Sequence, residues 1–124
     1  MSAALRRWTL DTVDYGPVEV ECPAWCVGHG SERDGETYRG DITHNSVRVK
    51  AGTALDDDEW VPVMTACISW APFRELVPVI SLVLEAEGDF AAEDGRHIAE
   101  GLRLAATRVE ALAVEAIRLR EGIA

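Results

Sequence analysis

The sequence predicts an α+β domain in which a roughly four-stranded antiparallel sheet packs with one long C-terminal helix. Three observations carry that expectation. Apolar and polar residues alternate in short stretches before residue 85, no helical pattern separates those stretches, and the segment from Ala91 to about Arg120 is dense in Ala, Leu, Glu and Arg. Strands that follow one another without a crossover of a dozen or more residues pair antiparallel, so a meander is the simplest arrangement. With 124 residues, 48% of them apolar and 27% charged, the chain fits one ordinary globular domain with one core.

The elements follow in order. Residues 1–17 show no sustained period and end on Gly16-Pro17, which predicts a flexible N-terminal arm over 1–17 and a single domain over 18–124; Trp8 is the arm's candidate for docking. Val18-Glu19-Val20-Glu21 alternates and runs into Cys22 as a half-buried strand would. Residues 28–41, rich in Gly and charge, read as a loop. Ser46 to Ala51 alternates again and predicts a second strand with Val47, Val49 and Ala51 on one face. After an acidic connection, Val61 to Trp70 is rich in strand formers, with Pro62 suited to a strand start or an edge. Ala71-Pro72 ends it, and Val77 to Leu84 predicts a fourth strand.

Asp89 is the candidate N-cap of the helix, which at 1.5 Å per residue would be a rod about 45 Å long. Its apolar residues fall in two rows. Ile98, Leu102, Ala105, Val109, Leu112, Ala116 and Leu119 step by four and three, as in a coiled-coil seam; Ala99, Ala106, Ala113, Val114 and Ile117 form the second row. One row suits the chain's own sheet and the other a second helix, so a homodimer through the C-terminal helix is expected.

Charge narrows the function classes. The formal net charge is −10, from 22 acidic and 12 basic residues, which disfavours direct binding to a phosphate backbone. The acidic runs Asp56 to Glu59 and Glu32 to Glu36 lack the ligand spacing and turn Gly of a calcium loop and read as solvated connections. No stretch of eighteen apolar residues or secretory signal is visible, so the expected setting is the cytoplasm and no membrane partner is expected. Three cysteines, an odd number, in a reducing compartment are poorly explained as a disulfide framework and point to metal or burial.

The metal reading rests on Cys22-Pro-Ala-Trp-Cys26 followed by His29 and His44. Structural zinc sites take four tetrahedral Cys and His ligands, commonly a close pair from one turn and others returning later in the chain. Cys22, Cys26, His29 and His44 form such a set, delivered by a strand end, its turn and the loop before the second strand. Pro23 stiffens the turn and Trp25 can shield the sulfurs. The expected cofactor is therefore one structural Zn2+, which staples the fold near its N-terminus; reduced, half-buried thiols beside a surface histidine are the alternative. A deaminase is excluded because no H-x-E motif accompanies a C-x-x-C pair, and the C-x3-C spacing disfavours a thioredoxin-like centre. Cys67, between Ala66 and Ile68, reads as a buried thiol, and His97 as a satisfied residue at the helix edge.

The segment C-P-A-W-C-x-x-H, the later His before a V-x-V strand and the terminal helix A-E-D-x-x-x-I-A-E-G-L-x-x-A-A together resemble a family of small actinobacterial proteins of unknown function, also met in actinobacterial phages. The resemblance covers about residues 18–112. It implies Cys22, Cys26, His29 and His44 as metal-binding positions and no assigned activity.

No catalytic constellation is evident, so the functional expectation is a non-enzymatic zinc-binding module for protein interaction or regulation. An acidic inhibitor or nucleic-acid-mimicking decoy of phage or mobile-element origin is the alternative, and a small metallo-hydrolase with an open Cys22, Cys26, His29 site ranks last.

Overall fold

The computed structural model of the chain describes residues 6–29 and 37–122. The expectations for residues 1–5 of the arm and for the acidic run Glu32 to Glu36 lie outside the described residues. The described residues form two sheets, one α-helix and two short 3-10 turns. A two-stranded hairpin joins β1 (Arg6–Thr12) to β2 (Gly16–Cys22), and a larger sheet is made of β3 (His44–Asn45), β4 (Val49–Ala54), β5 (Trp60–Trp70) and β6 (Val79–Leu84). All strand pairs are antiparallel, and α1 (Gly95–Glu121) closes one face of the larger sheet.

The hairpin differs from the loose arm expected for residues 6–17. Arg6 to Thr12 pairs with Gly16 to Cys22 in unbroken register, from Arg6 opposite Cys22 to Thr12 opposite Gly16. Its side chains alternate with period two, and Leu10 and Val20 are buried against Ile42 with Trp8 and Val18 packed around them. The turn closes with Gly16 at φ +63°, while Thr12 Oγ1 accepts the Tyr15 amide and donates to the Gly16 carbonyl. Arg39 ties this turn to the body: its guanidinium lies 4.2 Å from the Phe73 ring centre and 5.0 Å from that of Tyr15.

In the larger sheet β5 is central. Its first part pairs with β4, its end with β3, and its other side with β6. The second strand expected over residues 46–51 begins only at Val49, as β4, and the short β3 lies ahead of it. The break falls at Ser46, whose Oγ accepts the Ile68 amide in place of a ladder carbonyl, and Val47 turns outward, 72% exposed, instead of sharing the face of Val49 and Ala51. The meander holds for β4, β5 and β6, whereas the strand ending at Cys22 belongs to the hairpin and not to this sheet.

The helix packs on Ala51, Val63, Met64 and Ala66 through Ala105, with Val109 and Leu112 alongside. Close approach requires small residues at the contact. A Cβ on Gly101 would stand 3.0 Å from Val63 Cγ2 and 3.3 Å from Thr53 Cβ, so glycine lets the helix settle directly on the sheet. Its 27 residues span about 40 Å. The residue preceding the first helical turn is Asp94 and not Asp89: its carboxylate accepts the Asp56 amide at 3.1 Å, which fixes the helix start to the β4–β5 turn. Arg118 and Arg120 in the last turn complement the helix dipole. Among the described residues no helix is long and apolar enough to cross a membrane.

Candidate metal centre

Cys22 ends β2, where Val20 and Cys22 share the buried face of the hairpin. The chain then turns: Pro23 fixes the entry, the Cys26 amide donates to the Pro23 carbonyl at 3.0 Å, and the Gly28 amide points at Cys26 Sγ from 3.4 Å. Gly28 adopts φ +101°, a conformation that L side chains rarely take, and a Cβ there would also press on Trp8 at 3.2 Å. That reversal carries His29 back over the sulfurs. Val27 donates its amide to the Asn45 carbonyl at 2.8 Å, which moors the turn beside His44. Arg6, at the start of β1, donates to the Cys26 carbonyl and fastens the turn from the hairpin side.

The four expected ligands converge. One donor atom from each of Cys22, Cys26, His29 and His44 lies within 4.8 Å of every other, and all four residues are buried, at 1%, 3%, 3% and 2% exposure. His29 Nε2 stands 3.3 Å from His44 Nδ1 and 3.8 Å from Cys26 Sγ. Tetrahedral coordination at the usual bond lengths for imidazole and thiolate would place two nitrogens about 3.3 Å apart and a sulfur and a nitrogen about 3.6 Å apart. The cluster therefore fits a small tetrahedral ion with little rearrangement.

Its surroundings favour the same use. Burial, with His29 alongside, pushes the His44 imidazole down to about 4, so at neutral pH it is uncharged, the state in which imidazole binds metal. Three tryptophans wall the site. Trp8 meets His29 edge-on at 5.8 Å between ring centres, Trp25 meets His44 edge-on at 6.4 Å, and Trp70 lies 5.8 Å from His44, its strand partner in β5. Trp25, expected from sequence beside the sulfurs, packs on the ring of His44. Trp8 and Trp70 are site residues that the ligand spacing does not reveal, although the alternation of Trp8, Leu10 and Thr12 in β1 carries a signal for the first. The Trp8 indole N–H has no acceptor among the described residues.

Chemically, the arrangement joins two sheets. Cys22 belongs to the hairpin, Cys26 and His29 to the turn, and His44 to the first strand of the larger sheet, so an ion held by all four fixes the hairpin onto the body. The surface cleft that runs past the turn is lined by Val27, Gly28 and Asn45 to Arg48, with Lys50, and exposes none of the four ligands.

The other reactive side chains lie apart. Cys67 is buried in β5 with Sγ 4.0 Å from Asn45 Oδ1, and burial raises its thiol pKa above the ordinary value. His97 donor–acceptor contact is with Asp56 Oδ1 at 2.7 Å, as a satisfied helix-edge residue. Asp56, Asp94 and His97 form a second, more exposed group near the helix start, and its hydrogen bonds serve to tie the acidic turn to α1.

No curated protein and no solved structure matches the chain. A family model described as a domain of unknown function (DUF6907) matches residues 8–118, a span that contains the larger sheet, the four clustered ligands, all but two residues of the hairpin strands and nearly all of α1. The chain belongs to that family, DUF6907.

Proposed function

We propose that the protein is a small non-enzymatic zinc-binding module for protein interaction or regulation, acting in the cytoplasm and associating with itself, with its Zn2+ in a purely structural role. The observation that supports this reading best is the burial of all four ligands, which leaves no ligand position facing water. A catalytic zinc needs an open position for water or substrate and a nearby base. A Cys2His2 set walled by Trp8, Trp25 and Trp70 instead suits a closed tetrahedron whose binding energy contributes to folding. The soft and borderline donor set, two thiolates and two imidazoles, favours zinc over magnesium or calcium, which prefer oxygen.

Elemental analysis of the purified protein, beside its Cys22→Ser and His44→Ala variants, tests the reading. One zinc per chain in the parent, and in both variants its loss together with opening of the hairpin, are the expected results. Full zinc occupancy in His44→Ala, or a water exchanging at the metal, would move the site into the catalytic class and overturn the proposal. The exposed apolar residues on one flank of α1, Leu102 at 51% and Ile117 at 50%, support self-association. The reading as an acidic decoy has only the net charge of −10 behind it.

A further inference from the structure

The geometry points to β6 as the surface through which two copies of this chain join, strand to strand and antiparallel, making one continuous sheet across a two-fold axis. This rests on the proposed reading as an interaction module and names its partner as a second copy. The contrast between the two long edges of the larger sheet is the starting point. The β4 edge is guarded: it carries Lys50, its register shifts at a bulge between Ala51 and Gly52, and α1 lies over it. Charge, a bulge and a covering helix are the means by which sheet edges avoid pairing. Among the described residues the β6 edge has none of them. Val79–Leu84 pairs with β5 without a bulge, the chain is uncharged from Leu76 to Leu84, and the helix lies mainly over β4 and β5.

The strand is also apolar on both faces save for Ser81. Leu82 and Leu84 sit opposite Ala66 and Met64 on the helix side, yet are 45% and 71% exposed, while Val79 and Val83 on the other side are 41% and 55% exposed. Helix and strand leave a groove between them, lined by Val77 to Ile80 and by Ala113, Ala116 and Ile117, with Arg120 at its helix end. Strand β6 runs about 20 Å, and the apolar flank of α1 from Leu102 to Ile117 about 22 Å, so two bare rows of equal length border one trough. A stable interface takes about 800 Å² from each partner, so the strand edge, the trough and the helix flank would all contribute to it.

Main-chain parity favours a second copy as the occupant. The Glu85 amide donates to the Val63 carbonyl, so the odd-numbered residues of β6 direct their main-chain groups at β5 and Ile80, Leu82 and Leu84 direct theirs outward. A two-fold axis through Leu82 sets these three outward residues opposite one another, Ile80 against Leu84 and Leu82 against itself. Side chains then meet as Leu on Leu and Ile on Leu on the helix side, and as Ser81 on Val83 on the other. For molecules of net charge −10 this contact also sets no like charges opposite each other, since Glu85 falls against Val79.

Sedimentation equilibrium of the full, metal-loaded chain over a range of micromolar concentrations tests the inference, with zinc content and melting measured on the same samples. The parent is expected at twice its 13.5 kDa mass. Leu84→Lys, and separately Leu82→Pro, which removes an outward amide and no bond to β5, are expected to give monomers with zinc and melting retained. Val114→Lys, on the charged outer side of the helix, is expected to stay dimeric. Hydrogen exchange reads the bonds directly: the Ile80, Leu82 and Leu84 amides should be protected in the dimer and lose that protection on dilution. A monomeric parent, a Leu84→Lys dimer, or a dimer broken by Val114→Lys alone would each overturn it. Since zinc is counted in every sample, failure at β6 is distinguishable from failure of the metal reading.

Discussion

The hairpin half and the sheet–helix half of this molecule are built on different means of holding together. The hairpin buries Leu10, Val20 and Ile42, three side chains of fair size, with Trp8 and Val18 at the margin. The larger sheet buries Ala51, Val63, Met64, Ala66 and Ala105 under a 27-residue helix, with Val49, Val109 and Leu112 alongside. An isolated two-stranded hairpin is at best marginally stable, whereas a sheet of three or more strands covered by a helix can stand alone. What the hairpin lacks in interior the Cys22, Cys26, His29, His44 cluster supplies as a tie to the neighbouring sheet.

The largest expected effect breaks the comparison outright. Removing the metal with a chelator withdraws on the order of 10 kcal/mol of binding energy from the hairpin side. Hydrogen exchange should then show the amides of β1 and β2 unprotected while β5 and α1 remain protected. Equal loss in both halves would mean that the sheet and helix also depend on the ion. Thiol labelling gives a second readout: with metal bound all three buried cysteines should resist alkylation, and after chelation Cys22 and Cys26 should react well before Cys67.

Next come two large-to-small changes that sharpen the contrast. Met64→Ala and Ile42→Ala each empty a fully buried position, both at 0% exposure, and each should cost about 2–5 kcal/mol in the metal-loaded protein. Without metal the two should part. Met64→Ala continues to lower the melting of the remaining sheet and helix, while Ile42→Ala has nothing left to destabilise, because its cluster has already opened. Thermal melts of both variants with and without chelator decide this.

Gly101→Val comes third, at about 1–3 kcal/mol, from forcing the helix away from Val63 and Thr53. It acts on the sheet–helix half alone, so zinc stoichiometry should be unchanged while melting falls. The position also shows what could be read from sequence. The two apolar rows of α1 and the four metal ligands are matters of spacing, and spacing is visible in the chain: Cys22, Cys26, His29 and His44 come together, and Ala105, Val109 and Leu112 face the sheet. Leu102, placed in the same row, is half exposed, because a row stepping by four and three drifts around a straight helix and the sheet lies nearer to Gly101. The hairpin at residues 6–17 was harder to see. Trp8, Leu10 and Thr12 do alternate, but the stretch is short and the residue its buried face packs on, Ile42, is far away in the chain. The break after His44–Asn45 depends on one Ser46 hydroxyl capturing the Ile68 amide, a choice that local pattern does not encode.

The smallest expected effect is one of pH, and its sign separates the halves. Cys67, on the opposite face of β5 from Ala66 and Ile68, has its thiol pushed above the ordinary value of 9.0 by burial, with the Arg48 guanidinium pulling more weakly the other way. Above pH 9 the unfolded chain therefore gives up this proton before the folded chain does, and the folded state binds more protons. Stability of the sheet–helix half must fall as pH rises through that range, in proportion to the gap between the two values. The metal-bound half follows the opposite course, because its Cys22 and Cys26 would bind as thiolates and protons compete with the ion as pH falls. Melting of the metal-loaded protein and of Cys67→Ala, measured at pH 8 and about pH 10, isolates the first effect: the parent should lose stability across that interval and the variant should lose less. Equal losses would show that Cys67 ionises in the folded sheet as readily as in the open chain, and that its burial is not felt by its proton.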